Sequence, residues 1–320
     1  MTEIRPEDPA AFLRMMQRQD FAAFLDAAWP LISGGELPDQ NWHLDAIAFE
    51  LERVQRGQSR KLVVNLPPRN GKSKTISVIW VAWMLGHDPT LNFVCVSYSK
   101  ELSDKLARDC LSIMQSRWYA ELFPRTKVSG RRSANADFET TRGGGRLATS
   151  TTGTLTGRGG DIIILDDVIK PEEANSEVTR EKVNDWFRTT LISRLNDKAS
   201  GAIICVMQRL HQFDLSGMLL ETGDWNHLSL PAIATEGSTI LLTRGRVHRR
   251  AGDVLHPERE PLTVLEELRK SMGSAMFGAQ YQQDPVPAQG NLIKALWFKF
   301  WGAGYNPLEH GEVVQSLDTA

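Results

Sequence analysis

The chain is poor in cysteine and has no long apolar run. Its three cysteines, Cys95, Cys110 and Cys205, stand singly in apolar or helical stretches. That spacing excludes a metal-ligand cluster and the even-numbered framework of a secreted disulfide protein, and it predicts buried, reduced thiols. No apolar stretch reaches the roughly 20 residues that span a bilayer, and the polar residues 1–8 do not form a signal peptide. We therefore expect no membrane partner and a cytoplasmic location.

An excess of charge of one sign is also missing. The formal net charge is −2, from 37 Lys and Arg against 39 Asp and Glu. Contact with phosphates needs only a local basic surface, so this balance does not exclude a nucleic-acid partner. The local candidates are Arg131–Arg132 and the run Arg244, Arg246, Arg249, Arg250. Each is either a solvated loop or a DNA contact, and the sequence leaves both open.

What the chain does contain is a regular alternation of apolar strands and amphipathic helices. Two helices are predicted first, over 9–30 and 41–56. The elements predicted after them are strands at 61–66, 92–97, 161–165 and 202–207, helices at 72–85, 100–118 and 176–191, and a hairpin over 137–150. This alternation predicts an α/β fold with a mostly parallel, doubly wound sheet, in which ligands bind beyond the carboxyl ends of the strands.

The strongest motif, Pro67-Pro68-Arg69-Asn70-Gly71-Lys72-Ser73, joins a predicted strand to a predicted helix. A phosphate-binding loop requires this context, because backbone N–H groups and the helix N-terminus face the phosphates. Lys72 would reach the β- and γ-phosphate oxygens of ATP, and the Ser73 hydroxyl would bind Mg²⁺. The first glycine of the usual pattern is replaced by Leu66, and a lone Gly-Lys-Ser would also fit a solvated turn. The candidate nucleotide-binding residues are Pro68, Arg69, Asn70, Gly71, Lys72, Ser73 and Lys74.

An acidic strand end supports the nucleotide interpretation. Ile162-Ile163-Ile164-Leu165 runs into Asp166-Asp167. Two carboxylates at the end of a buried apolar strand are costly unless a cation or a donor compensates them. In a Walker B interpretation, Asp166 would hold Mg²⁺ and Asp167 would polarise the attacking water. The alternative is a pair of strand-end aspartates that face solvent.

Two further segments carry polar groups near this strand. The glycine-rich stretch 151–160 contains a single arginine, Arg158, which either presents its guanidinium to phosphates or belongs to a flexible loop. Gln208 follows the strand 202–207, at the position of a polar γ-phosphate sensor in many P-loop motors. His211 and Asp214 have no third ligand at a metal-binding spacing, so structural hydrogen bonding is favoured for them.

Taken together, these motifs resemble the large terminase subunits of tailed phages and related gene transfer agents, over nearly the whole chain from about residue 36. The matching stretches are Gln40-Asn41-Trp42-His43, Leu66 to Ser73, Leu155-Thr156-Gly157-Arg158-Gly159, Leu165-Asp166-Asp167, the helix with Ser176, Trp186 and Arg194, Val206 to His211, Asp214 to Gly217, and Phe277 to Pro285. The ordered set is far more specific than any single member.

The resemblance implies the ATPase half of a DNA-packaging motor. The fold would be an ASCE-type P-loop ATPase with a small lid subdomain, and Gln40 would belong to an adenine-recognising segment. The implied organisation is an N-terminal helical segment (1–35), an ATPase core (36–210), a lid subdomain (211–290) and a linker with the first strand of a nuclease domain (291–320). Arg158 would reach the ATP of a neighbouring subunit.

The implied partners are double-stranded DNA, a portal protein and a small terminase subunit. The subunits would form a homo-oligomeric ring on the capsid, in the cytoplasm of the bacterial host, whereas the isolated chain would be either a ring or a monomer. Two alternatives remain open. A helicase or translocase of a related P-loop class should have a second motor lobe, for which residues 210–320 look too short. A nucleotide-gated DNA-binding module would not hydrolyse ATP.

The sequence departs from the resembled family at the acidic strand end. Many relatives carry Asp-Glu where this chain has Asp166-Asp167, so the water-activating carboxylate is either Asp167 or a downstream residue, Glu172 or Glu173. At the other end, the strand-like residues 313–320 include Asp318, which matches the first metal-binding aspartate of an RNase H-like nuclease. One aspartate cannot hold two catalytic metal ions, so we expect a truncated nuclease domain and no DNA cleavage.

Overall fold

The structure is a computed structural model that describes residues 9–39, 41–134, 136–153, 155 and 157–286. The predictions for Gln40, for the linker and nuclease strand over 291–320, and for Asp318 lie outside the described residues. None of the described helices is long and apolar enough to cross a membrane.

The N-terminal helical region is divided where the sequence predicted one helix over 9–30. Helix α1 spans Pro9–Gln19 and α2 spans Phe21–Ala28, followed by a 3₁₀ turn over Trp29–Ile32. The break is at Asp20, whose extended backbone and side-chain bond from the backbone N–H of Ala23 form the N-cap of α2. Helix α3, Trp42–Gln55, begins after Asn41, whose side-chain oxygen accepts from the backbone N–H of Trp42.

Eight strands form one sheet, mostly parallel as predicted. The strands are β1 Lys61–Asn65, β2 Asn92–Ser97, β3 Val128–Ala134, β4 Asp137–Thr140, β5 Gly145–Ser150, β6 Ile162–Asp166, β7 Ala202–Met207 and β8 Asn226–Ser229. Their spatial order is β3-β4-β5-β2-β6-β7-β1-β8. The last six strands in this order, β5, β2, β6, β7, β1 and β8, are parallel. The predicted hairpin is confirmed as the antiparallel pair β4 and β5.

Helices cover both faces of this sheet. They are α4 Val81–His87, α5 Lys100–Gln115, α6 Arg117–Leu122, α7 Glu177–Trp186 and α8 Leu215–Glu221. Alternate strand residues point to opposite faces, so Ile164 and Val206 pack in one apolar cluster and Ile163 and Met207 in the other. Both faces of the sheet are buried, which explains why the sequences of the central strands are continuous apolar runs.

Two of the predicted helices contain π-helical stretches. The helix after the candidate phosphate loop is π-helical over Lys74–Trp80 before α4 begins, and α7 continues as a π-helix over Phe187–Leu191. The predicted helix over 100–118 ends earlier, because Ser116 adopts an extended backbone and caps α6. Stretches of π-helix recur at functional sites in proteins.

Beyond residue 210 the chain continues into the same sheet through β8, and then into smaller elements. Strands β9 Ser238–Leu242 and β10 Gly245–Arg249 form a separate hairpin, and α9 Leu262–Met272 and α10 Ser274–Gln280 follow. The described residues fall in a single compact unit that ends at Val286. The lid boundary at 211 stays a prediction.

The basic run Arg244, Arg246, Arg249, Arg250 lies on and beside this hairpin, and its side chains differ in their exposure and in their partners. Arg249 is buried and donates hydrogen bonds to the carbonyls of Pro231 and Asp253. Arg244 is paired with Asp20. Arg246 and Arg250 are exposed. DNA contact at this run stays a prediction and can involve those two exposed side chains most directly.

Candidate active site

The candidate site lies where β1, β6 and β7 end at the same edge of the sheet. β7 lies between the other two, with Asn65 opposite Met207 and Asp166 opposite Val206. The phosphate loop follows β1, Gln208 follows β7, and the acidic pair is formed by the last residue of β6 and the residue after it. Parallel strands therefore bring three segments together that are far apart in the sequence.

The loop between β1 and the helix has the backbone of a tight phosphate cradle. Arg69 and Gly71 both have positive φ, 63° and 76°. A Cβ at Gly71 would come within 2.9 Å of the Trp29 ring and 3.3 Å of Leu44, so glycine is required there for two independent reasons. The side chain of Asn70 donates to the carbonyl of Pro68 at 3.1 Å and stiffens the turn.

The loop and the acidic strand end are in direct contact. Lys72 Nζ lies 3.0 Å from Asp167 Oδ2, and Ser73 Oγ donates to Asp166 Oδ1 at 2.8 Å. Lys72 is 6% exposed and Asp166 is 1% exposed. The structure thus assembles the two motifs that the sequence analysis assigned to one nucleotide site.

The acidic pair is held in an environment that disfavours two negative charges. Burial is the main reason that the pKa of Asp166 lies above its usual range, and the neighbouring charge of Asp167 also raises it, against smaller opposing effects of Ser77, Lys72 and Ser73. Asp167 itself has a left-handed backbone, with φ of 45°. A non-glycine residue in this region marks a strained position, and such positions cluster at functional sites.

The residues present fit a magnesium ion. Mg²⁺ takes oxygen ligands and uses one or two carboxylates together with substrate phosphates and water. Asp166 and the Ser73 hydroxyl supply such oxygens side by side, and Lys72 is the cation that contacts the pair. Within the described part of the chain, no group of three or more His, Cys, Asp or Glu side chains could hold a metal. A magnesium site completed by phosphates needs no such group.

Two buried polar atoms at the site have no partner among the residues that the structure describes. These are the side-chain oxygens of Asn70 and Gln208. The backbone N–H of Gln208 donates to Asp167 Oδ1 at 3.3 Å, so this residue is tied to the acidic pair. An unpaired buried oxygen is costly unless a ligand or water binds it. The predicted role of Gln208 as a phosphate sensor stays a prediction, and it would use the amide nitrogen of the side chain as the donor.

Arg158 and Glu173 have partners outside this cluster. Both terminal nitrogens of Arg158 bind the Asp137 carboxylate, at 3.2 and 2.9 Å. Glu173 ends a 3₁₀ turn, is exposed, and lies 3.9 Å from Lys170 Nζ. Their predicted catalytic roles stay predictions, and for Arg158 that role requires release from Asp137.

A cavity of about 520 Å³ opens beside the loop. Its lining joins the loop residues 69–74 to Trp29, His43, Leu44, His256 and Arg259, among others. Lys74 Nζ lies 5.0 Å from the centre of the Trp29 ring, and Arg259 donates to the carbonyl of Arg69. No local pattern in the sequence links Trp29 or Arg259 to the loop, so neither residue was predicted to line the site.

His43 packs against the phosphate loop as a neutral ring. It is 2% exposed, its Nδ1 lies 2.7 Å from the Asn41 amide nitrogen, and its Nε2 lies 3.1 Å from the carbonyl oxygen of Asn70. Since a carbonyl only accepts, Nε2 carries the proton and Nδ1 accepts from the Asn41 amide. Burial lowers the pKa of His43 to about 4, against a smaller opposing effect of the hydrogen bond to Asn70.

This pKa predicts a pH-dependent loss of stability. The folded state protonates His43 only near pH 4, whereas the unfolded chain does so near 6.5. The contribution of neutral His43 to the free energy of unfolding is fully present above about pH 6.5 and is lost as the pH falls toward 4. At pH 5 the part already lost is about 2 kcal/mol. Urea unfolding at pH 8 and pH 5 measures it. His43→Gln should reduce the difference, and the exposed His248→Gln should not. Equal pH dependence in both variants would contradict this assignment.

His211 and Asp214 make structural hydrogen bonds, the role that the sequence favoured for them. Asp214 caps α8 by accepting from the backbone N–H of Gly217, and its carboxylate accepts from Arg209 Nε at 3.0 and 3.1 Å. The backbone N–H of His211 also donates to Asp214. Their structural role is confirmed. The three cysteines are likewise buried and free, as predicted.

The topology and the site together define the class of protein. A mostly parallel, doubly wound α/β sheet carries a glycine-lysine-serine loop after β1 and an acidic pair at the end of β6, with β7 between these two strands. This is the arrangement expected for an ASCE-type P-loop ATPase fold, and the predicted fold class is confirmed. No family model and no curated protein matches the chain.

Solved structures to which the chain is similar include bacteriophage large terminases. An arginine-to-alanine variant of the Thermus phage P74-26 large terminase ATPase domain is 15% identical, with a TM-score of 0.49, over 74% of this chain and 93% of that chain. The HK97 bacteriophage large terminase is 12% identical, with a TM-score of 0.45, over 68% and 44%. A thermophilic bacteriophage large terminase in complex with ADP is 10% identical, with a TM-score of 0.43, over 72% and 52%.

Proposed function

We propose that this chain is the ATPase part of a large terminase, which hydrolyses ATP to drive double-stranded DNA into a procapsid. The observation that carries the ATPase proposal is the direct contact between the loop and the acidic strand end, Lys72 with Asp167 and Ser73 with Asp166. The ordered set of motifs from Asn41 to Pro285, which resembles large terminases, supports the assignment to DNA packaging.

The chain's own groups divide the work of phosphoryl transfer. Backbone N–H groups of the loop and the helix N-terminus would bind the β- and γ-phosphates, with Lys72 leaving Asp167 for a phosphate oxygen. Ser73 and Asp166 would hold Mg²⁺, which neutralises charge on the phosphates when bound. Once Lys72 has moved, Asp167 would have a free carboxylate oxygen to accept a proton from the attacking water. Gln208 would contact the γ-phosphate through its side-chain amide nitrogen, which can donate to a phosphate oxygen.

The wider assembly is part of the same proposal. Subunits would form a ring on the portal of the capsid, with DNA in the central channel and a small terminase subunit delivering it. This would take place in the cytoplasm of the bacterial host. The motif set applies equally to tailed phages and to gene transfer agents.

A phosphate-release assay tests this function against the two alternatives. The purified chain is assayed alone, with linear double-stranded DNA, and with DNA plus capsid–portal complexes. We expect Mg²⁺-dependent hydrolysis that rises on adding DNA and capsids. A nucleotide-gated binding module would bind ATP without releasing phosphate. A helicase would unwind a duplex that has a single-stranded overhang, with no response to capsids, and either result would contradict the proposal.

Arg158 provides a test of the ring. We expect Arg158→Ala to lower ATP turnover by about 10²-fold or more, because a guanidinium at the phosphates stabilises charge that develops during transfer. If Arg158 acts across a subunit boundary, mixing Arg158→Ala with Lys72→Ala subunits restores part of the activity. A mixed interface then pairs an intact loop with an intact arginine wherever the Arg158→Ala subunit holds the ATP and the Lys72→Ala subunit supplies the arginine. Exposed Arg117→Ala is the control. Activity that never exceeds simple dilution would contradict the trans role.

A further inference from the structure

The two oxygens of the Asp166 carboxylate are bound by two different serine hydroxyls. Ser73 Oγ donates to Oδ1 at 2.8 Å, and Ser77 Oγ donates to Oδ2 at 2.5 Å. The two serines are four residues apart on the helix that follows the loop, so both hydroxyls lie on the side that faces β6. Only Ser73 belongs to the phosphate-loop motif.

Ser77 is built into the protein interior more firmly than Ser73. It is 0% exposed and lies within the π-helical stretch Lys74–Trp80. Its carbonyl accepts a hydrogen bond at 3.3 Å from Arg146, a 1% exposed side chain on β5. The backbone of Ser77 is thus tied to the sheet, and its hydroxyl is directed at the carboxylate of a second strand.

We infer that Ser77 is a positioning residue for Asp166, which holds Oδ2 so that Oδ1 faces the metal and nucleotide side. The inference rests on the proposed function, in which Ser73 and Asp166 hold Mg²⁺. In that state the Ser73 oxygen acts as a metal ligand, and Ser77 is the hydroxyl that still fixes the rotation of the carboxylate. Ligating carboxylates in metal sites are commonly oriented by such outer hydrogen bonds, whose loss typically costs about 10- to 100-fold in metal affinity or activity.

Ser77→Ala removes this hydroxyl, and Ser103→Ala is a matched control. Ser103 is also 0% exposed and helical, and its hydroxyl donates to the carbonyl of Cys95, so its loss carries a similar packing cost away from Asp166. Binding of the non-hydrolysable ATP analogue AMP-PNP is measured by calorimetry with Mg²⁺ and with EDTA. The Mg²⁺ concentration that gives half-maximal ATPase rate is measured in parallel, and thermal unfolding follows the fold.

We expect Ser77→Ala to raise the half-maximal Mg²⁺ concentration by about 10-fold or more. AMP-PNP affinity should fall in Mg²⁺ and stay at the wild-type value in EDTA. Ser103→Ala should leave both at wild-type values. If both variants lose thermal stability equally and keep wild-type Mg²⁺ dependence, Ser77 is only structural and the inference is overturned. If the wild-type chain itself binds AMP-PNP without any response to Mg²⁺, the proposed function fails, and the inference with it.

Discussion

Replacing Lys72 with alanine is expected to abolish ATP hydrolysis while the chain remains folded. The ammonium group of Lys72 is the cation in contact with the acidic pair, 3.0 Å from Asp167. In the proposed reaction it stabilises charge that develops on the transferred phosphoryl group. Loss of such a group costs several kcal/mol, and about 4 kcal/mol corresponds to roughly a 10³-fold slower reaction. Phosphate release under saturating ATP and Mg²⁺ measures the effect.

Two measurements make this result specific. Circular dichroism and thermal unfolding follow the fold, because Lys72→Ala leaves the Asp167 carboxylate without its ion-pair partner. The Asp167 side chain is 22% exposed, so water can compensate part of that loss. Lys105→Ala, which removes an exposed lysine on α5, should keep wild-type turnover. Near-normal turnover in folded Lys72→Ala protein would contradict the nucleotide site.

The second large effect is expected at the acidic pair. Asp166→Asn should lose Mg²⁺-dependent activity, because an amide is a poorer ligand for a hard cation than a carboxylate. Asp167→Asn should still bind nucleotide but turn over roughly 10³-fold more slowly, since general-base catalysis typically contributes 10²- to 10⁴-fold. Calorimetric binding of AMP-PNP separates the two, as only Asp166→Asn should lose the response of binding to Mg²⁺.

The same series decides which carboxylate activates water. Glu172 and Glu173 are exposed on a 3₁₀ turn after β6, whereas Asp167 contacts Lys72 directly. The geometry favours Asp167, so Glu172→Gln and Glu173→Gln should each retain most of the turnover. An active Asp167→Asn protein together with an inactive Glu173→Gln protein would transfer the role to Glu173.

Much of the site was predictable because its chemistry is encoded locally. A strand, a turn with glycine and lysine, and a helix are consecutive in the sequence, and the apolar strand with two terminal aspartates is equally local. Each motif requires only its immediate neighbours to adopt its conformation. The same is true of the Asp214 cap, which is formed within a few residues of chain. The sequence places Ser77 one helical turn from Ser73, but a role for its hydroxyl could be predicted only once the structure showed that it faces Asp166.

The breaks in the predicted helices show the limit of periodicity. Apolar spacing ran unbroken through Asp20 and Ser116, yet both residues cap new helices through their side chains. Polar side chains that bond nearby N–H groups compete with helix continuation, and the outcome depends on what the next helix packs against. Periodicity also did not predict the π-helical stretch over Lys74–Trp80, because an ordinary α-helix would have matched the sequence pattern equally well.

The sequence by itself determined the central strands β1, β2, β6 and β7, the β4–β5 hairpin, the phosphate-loop motif and the acidic pair, because these depend on residue type and spacing over short distances, whereas β3, β8, β9 and β10 were not predicted. Only the tertiary structure decided the strand order, in which β7 separates β1 from β6 and the loop meets Asp166 and Asp167. It also decided that Arg158 pairs with Asp137 and that Trp29 and Arg259 line the cavity beside the loop. Such contacts join residues that are tens to hundreds of positions apart. They arise from the burial of two sheet faces, a property that no local stretch of sequence carries.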